Sequence, residues 1–275
     1  MFGSDRAAPG IPNLYWVNAD GTGEVARLHE GPASELPLSW HPSGKFLTYT
    51  QGAAGGTADT MILPMDGDGV RGWSPGKPVV FLNTPANESY AMFSPDGRWI
   101  AYTLSEPGKT GEVYVRPFPG HGGPWRISTQ SGVQPEWSPS GHELLYLEPT
   151  TNTIKYVSYT VAGDSFRANT PQVWQPTAFR RFGRGRSFGL HPDGKRVALI
   201  GAQGAGVGGT VTLVFNFFTA PAGARDRAIR RIASRGPART RHRGAQHCTH
   251  GPRCLDQVAT SSRQVRAARA WLSFM

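Results

Sequence analysis

Phe93-Ser94-Pro95-Asp96-Gly97-Arg98-Trp99-Ile100-Ala101-Tyr102 reads as a tight turn followed by an apolar strand, and the chain repeats it. Three more copies of the turn are Trp40-His41-Pro42-Ser43-Gly44, Trp137-Ser138-Pro139-Ser140-Gly141 and Leu190-His191-Pro192-Asp193-Gly194. Proline pre-sets the first central position of a type I turn. Asp or Ser supplies a side-chain acceptor, and glycine takes the left-handed conformation that returns the chain to a strand. The four prolines are 53, 44 and 53 residues apart. A unit recurring at that period decides the architecture before any single residue is interpreted.

The strand after each turn has a repeated face. Its third column reads Leu47, Ile100, Leu144, Val197 and its fifth Tyr49, Tyr102, Tyr146, Leu199. Those two columns share one side of a strand. The column between them, Thr48, Ala101, Leu145, Ala198, is mostly small. Such a strand suits the middle of a small sheet packed between two neighbours.

More strands stand behind each copy. After the second come Glu112 to Phe118, Trp125 to Thr129 and Gln134 to Trp137; after the first, Thr60 to Met65 and Val79 to Leu82; after the third, Thr153 to Tyr159 and a segment around Val173. Turn signals such as Asp66-Gly67-Asp68-Gly69 and Pro119-Gly120 separate them. Four short strands per unit at this period predict an all-β fold, a β-propeller of four-stranded blades.

The motif aromatic-Ser-Pro-Asp-Gly-Arg/Lys, followed by an apolar strand ending in Tyr, resembles the TolB-like, WD-type propeller repeat of bacteria. The stretch from Asn87 to Tyr146, with Glu112-Val113-Tyr114-Val115-Arg116-Pro117-Phe118-Pro119-Gly120 behind the turn, is similar to propellers carried C-terminally on bacterial serine/threonine protein kinases. The resemblance runs from Leu14 to Phe218. It is specific for the fold and weak for function. Copies one and three carry Ser43 and Ser140 where the family favours Asp, which should weaken those turns.

Four motif-bearing blades are expected. Ahead of them, Leu14 to Val17 and Glu24 to Leu28 read as the outer two strands of a blade whose inner strands are absent. Four to five blades fall short of the six or more usual in the resembling family. Either the N-terminal strands complete the last blade and shut a small ring, or upstream blades are missing and the chain is a fragment forming an open arc; the fragment is the reading adopted.

Charge divides the chain at Phe218. Residues 1–218 carry 17 Lys plus Arg against 17 Asp plus Glu, whereas residues 219–275 hold 12 Arg and 2 Asp and so account for the whole net charge of +10. That segment also contains Cys248 and Cys254. Rich in Arg, Ala, Gly, Ser and Pro and without an apolar period, it reads as a disordered tail. It begins where the resemblance stops, which suggests translation out of frame. The functional alternative is an arginine-rich nucleic-acid arm; with the excess charge confined to the tail, nucleic acid is not the expected partner of the propeller.

Several small motifs dissolve on inspection. Gly185-Arg186-Ser187-Phe188-Gly189 has the spacing of a hydrolase nucleophile elbow, which needs a strand, a sharp turn and a helix; here it leads into the fourth repeat turn. Gly204 to Gly209 has dinucleotide-fingerprint spacing, yet the β-branched run Thr210 to Val214 follows where a helix is required. His247, Cys248, His250 and Cys254 lack the paired spacing of a zinc knuckle. Asn87-Glu88-Ser89 is a sequon read as a loop, and Asp66 and Asp68, calcium-type ligands, read as hairpin chemistry. No catalytic residue, metal site or cofactor is assigned.

Arg180, Arg181, Arg184 and Arg186 form the one dense basic cluster before the tail, positioned to contact an anionic ligand at the mouth of a central channel or to form a solvated loop. No leader opens the chain and no run of eighteen apolar residues occurs, which as written places the product in the cytoplasm, although family propellers often lie outside it. Kinase signatures are missing: no glycine-rich loop with a following strand lysine, no His-Arg-Asp, no Asp-Phe-Gly. The resemblance therefore implies a non-catalytic propeller that binds or senses a protein or small ligand, as the regulatory module of a serine/threonine kinase. A TolB-like periplasmic interaction propeller and the propeller of a prolyl-oligopeptidase-like peptidase are the alternatives.

Overall fold

A computed structural model describes residues 1–20, 22–53, 56–120, 122–139, 142–175, 185–201 and 210–214. The chain divides into two compact units, Met1–Leu213 and Val214–Met275. The expected tail, the glycine run 204–209, Gly141 and the arginines at 180, 181 and 184 lie outside the described residues.

Five antiparallel sheets follow one another along the chain, the last four each carrying one repeat turn. The first holds β1 (Phe2–Ser4), β2 (Asn13–Trp16) and β3 (Ala26–Arg27). The second holds β4 (Glu35–Trp40), β5 (Phe46–Gly52), β6 (Ala58–Asp68), β7 (Gly72–Pro75) and β8 (Val79–Leu82). The third is β9 (Asn87–Phe93), β10 (Trp99–Ser105), β11 (Glu112–Pro117) and β12 (Trp125–Arg126), paired in that order. The fourth contains β13 (Val133–Trp137), β14 (Glu143–Glu148), β15 (Thr153–Ala162), β16 (Ser165–Ala168) and β17 (Gln172–Gln175). The fifth is β18 (Phe188–Leu190), β19 (Val197–Gly201) and β20 (Thr210–Val214).

Each repeat turn joins the first two strands of its sheet, and the backbone closes it in the same way. His41, Ser94, Ser138 and His191 donate N–H to the carbonyls of Phe46, Trp99, Glu143 and Arg196 at 2.8 to 2.9 Å. Gly44, Gly97 and Gly194 have φ of 71°, 74° and 68°, the left-handed conformation the motif demands. Side-chain acceptors follow the expected ranking. Asp193 Oδ1 takes the Lys195 N–H at 2.9 Å and Asp96 Oδ1 the Arg98 N–H at 3.1 Å, while Ser43 Oγ takes the Lys45 N–H at 3.3 Å.

In the first three copies the repeated columns pack as their pattern predicts, against the preceding sheet. Leu47 and Tyr49 share a core with Leu14 and Leu28 of the first sheet. Ile100 and Tyr102 meet Ile62 and Leu82 of the second. Leu144 and Tyr146 meet Trp99, Ala101, Val113 and Val115 of the third. Thr48, Ala101, Leu145 and Ala198 in the small column are buried as well, so these strands are covered on both faces. Full burial of a side chain such as Trp99 is worth about 2–3 kcal/mol, and the boundary between sheets is where that stabilisation lies. Sequential meanders that share a core at each boundary are propeller blades.

Four features depart from the sequence expectations. The first sheet has a third strand, β1, pairing Phe2 with Tyr15 and Ser4 with Asn13; three residues are too short to display a period. The blades of copies one and three have five strands. There β6 and β15 run past the blade and fold into hairpins with β7 and β16, on the side where the repeat turns lie. The Asp66-Gly67-Asp68 segment, expected as a turn, is accordingly strand, with Asp66 facing Ser74 and Asp68 facing Gly72. The sequon likewise lies within β9, not in a loop, with Glu88 buried.

Candidate functional site

The first strand of the second, third and fourth sheets carries an irregularity at one position. Ladder register shifts occur between Pro37 and Ser39 in β4, opposite Ala101 to Thr103 in β9, and between Val133 and Glu136 in β13. At the shift in β9 and β13 sit Tyr90 (φ 55°) and Gln134 (φ 57°), non-glycine residues in the left-handed region. Such a conformation costs on the order of 1–3 kcal/mol and persists only where the surroundings impose it. Pro37, Tyr90, Gln134 and Ser187 all stand three residues before the motif's bulky residue.

Gln134 ties three blades together at this level. Its backbone N–H, turned off the ladder, reaches Thr103 Oγ1 at 3.1 Å. Its Nε2 donates to the Gly185 carbonyl at 3.1 Å and lies 3.4 Å from Tyr90 Oη, while Oε1 accepts the Ser187 N–H at 2.8 Å. Beside it, Arg186 Nη1 pairs with Glu136 Oε2 at 2.5 Å and Nη2 donates to the Pro135 carbonyl at 3.0 Å. The same guanidinium lies over the Tyr90 ring, 5.9 Å from its centroid. Both charged side chains are largely buried, at 13% and 18% exposure. Burial raises the Glu136 carboxyl above the ordinary carboxylate range, with Arg186 opposing.

Of the arginine cluster, Arg186 alone is described, and its donors are directed into the protein toward Glu136 and Pro135. An anion reaching it would compete with Glu136. Ser187, the central residue of the elbow-like motif, is fully buried and enters β18. Asp68 accepts the Val70 and Arg71 N–H groups and the Arg71 guanidinium, and Asp66 accepts the Gly67 N–H, as hairpin carboxylates do. Among the described residues no His, Cys, Asp or Glu cluster could hold a metal ion, and no helix is long and apolar enough to cross a membrane. Tyr90, Gln134, Glu136 and Ser187 escaped sequence reading. The available signal was positional: extending the repeat alignment three residues upstream of the motif marks three of them.

A second recurring feature anchors the loops that enter each blade. One carboxylate lies near the start of the first ladder in each of three blades: Glu35 opposite Gln51, Glu88 opposite Leu104, and Glu148 one step beyond the Val133–Leu147 pair. All three are buried. Glu35 Oε1 meets His29 Nδ1 at 2.7 Å, Glu88 Oε1 accepts the Thr84 N–H at 3.0 Å, and Glu148 takes the Ser131 hydroxyl and Lys155 Nζ. His29, Thr84 and Ser131 all lie on the segments crossing from the preceding blade. These acids are holding loops, and burial of Tyr49, Tyr102 and Tyr146 beside them pushes each phenol well above its usual value.

No protein-family model matches the chain, and no curated protein does. Solved structures similar to it include a putative TolB from Agrobacterium tumefaciens (18% identity, TM-score 0.45, covering 64% of this chain and 62% of that one). TolB from Acinetobacter baumannii is also similar (18%, 0.49, 77% and 48%), as is the periplasmic gluconolactonase of Pseudomonas aeruginosa (19%, 0.43, 81% and 68%). The chain spans about half to two-thirds of the TolB chains it resembles. Its own blade topology defines the class, a β-propeller protein.

Proposed function

We propose that this propeller is a non-catalytic binding module, receiving a protein or ligand at the first-strand position marked by Tyr90, Gln134 and Arg186, and acting as the regulatory propeller of a larger protein such as a bacterial serine/threonine kinase. The observation carrying the reading is the pair of left-handed residues, Tyr90 and Gln134, held at equivalent positions of adjacent blades. Strain retained in this way is a pointer to a working site. The likeness of residues 87–146 to kinase-borne propellers supports the finer part. Arg186 supplies a cation that an acidic group on the partner would recruit from Glu136.

The test is binding of the full chain to the protein kinase domain encoded in its genomic neighbourhood. The expected result is saturable association, weakened at least tenfold by Arg186→Glu. Absence of a kinase gene there, or no association with the one present, rejects the kinase reading and leaves the TolB-like interaction propeller. Turnover of a lactone or a prolyl peptide by the purified chain would reject the non-catalytic reading altogether.

A further inference from the structure

Away from that position, the tip of the β6–β7 hairpin faces the loop after β2 across a cleft of about 250 Å³. Trp16 forms part of its wall, with Asn18 and Glu24 on one side and Arg71 on the other. Gly72 lies beside the indole, where a Cβ would come to 3.6 Å from Trp16 Cζ2, and Trp16 itself is partly buried, packed on the core of Leu14, Leu47 and Leu63. The volume is below the roughly 300–1,000 Å³ of sites for drug-sized ligands and suits a single small ring.

The polar groups around the indole are of mixed type. Asn18 Nδ2 donates to Thr22 Oγ1 at 3.2 Å, which leaves its carbonyl oxygen available as an acceptor. Arg71 is clamped on Asp68 Oδ2 through Nε at 2.9 Å and Nη2 at 2.8 Å, so Nη1 is left to donate. Glu24 is exposed and has no partner among the described residues. With Arg71 neutralised by Asp68, the remaining charges are the carboxylates of Glu24 and of Asp20, which accepts the Thr22 N–H and hydroxyl, and both disfavour an anion. An apolar ring face flanked by acceptors and one donor matches a neutral polyhydroxylated ring, whose C–H face packs on an indole while its hydroxyls both donate and accept.

We propose that this cleft binds one ring of a neutral saccharide. The two walls come from different blades, so the site exists only because the β6–β7 hairpin reaches back over the first sheet.

Isothermal titration of the full chain with methyl β-glucoside, methyl β-galactoside and N-acetylglucosamine tests the proposal, with choline as a control cation. The expected result is a Kd of about 1 mM for at least one sugar. Trp16→Ala should abolish the signal, and the surface variants Glu24→Gln and Arg71→Ala should each weaken it about tenfold with unchanged circular dichroism. No heat with any sugar at about 20 mM, binding unaltered in both surface variants, or binding of choline but of no sugar would overturn it.

Discussion

Gln134 grips Ser187 with its side-chain amide: Oε1 accepts the Ser187 N–H at 2.8 Å and Nε2 lies 3.5 Å from the Ser187 hydroxyl. Gln134 itself has φ of 57°, so side-chain bonding and backbone strain oppose each other at one residue. Gln134→Ala leaves the buried Ser187 N–H unpaired and keeps the strain, at a cost of about 2–3 kcal/mol. Gln134→Gly loses the same bonds but relieves the left-handed conformation, by roughly 1–2 kcal/mol. Denaturant unfolding should therefore rank glycine above alanine here, the reverse of their usual order inside a strand.

The repeat turns offer a matched pair. Gly44 and Gly97 have nearly the same φ, yet a Cβ at Gly44 meets nothing within 4 Å whereas one at Gly97 overlaps the His41 imidazole of the neighbouring turn. Gly44→Ala should cost about 1–2 kcal/mol from conformation alone. Gly97→Ala should cost more, because His41 also loses its 3.1 Å contact with the Gly97 carbonyl. The difference should shrink in a His41→Ala background, as a double-mutant cycle by thermal unfolding will read.

Two loop-anchoring carboxylates should respond to pH with opposite sign. Burial raises Glu88 above its ordinary value, against the Thr84 donors. Its contribution is present below the unfolded carboxylate pKa and is lost as pH rises through the folded one. Burial also pushes Glu148 up, but Lys155 and the Ser131 hydroxyl outweigh it and the net shift is downward. Its contribution is present above the unfolded value and is lost as pH falls through the folded one. Relative to the wild type, Glu88→Gln should gain stability as pH rises above the ordinary carboxylate value, while the deficit of Glu148→Gln should shrink as pH falls below that value. A Glu88→Gln curve parallel to the wild type at all pH values would contradict this assignment.

Arg186 and Glu136 should behave as a unit. Removing either alone leaves a largely buried charge without its partner, which costs about 3–5 kcal/mol. Arg186→Met combined with Glu136→Leu should recover most of that loss. Additive effects in urea unfolding would mean that the pair at 2.5 Å contributes no coupling.

The Pro-x-Gly period and the alternating columns of the following strand are local properties, written in short stretches, and they carried the all-β repeat architecture. The hairpin β6–β7 stayed hidden because Asp66-Gly67 has the composition of a turn; the Trp73 it carries packs against Trp40 at 4.7 Å, a contact between residues far apart in the chain. The Tyr90, Gln134 and Ser187 position was hidden for a related reason. Those residues share an offset from the motif but no chemistry.

From sequence alone, then, came the turn, its left-handed glycines, the buried face of the strand after it and the segregation of charge beyond Phe218. Each depends on a few neighbouring residues and on periodicity, which a chain displays before it folds. Tertiary structure alone decided that Arg186 pairs with Glu136, that Glu35, Glu88 and Glu148 hold the crossing loops, and that a cleft opens between Trp16 and Arg71. Those are encounters between residues of different blades or strands, and only the stacking of one sheet on the next brings them within bonding distance.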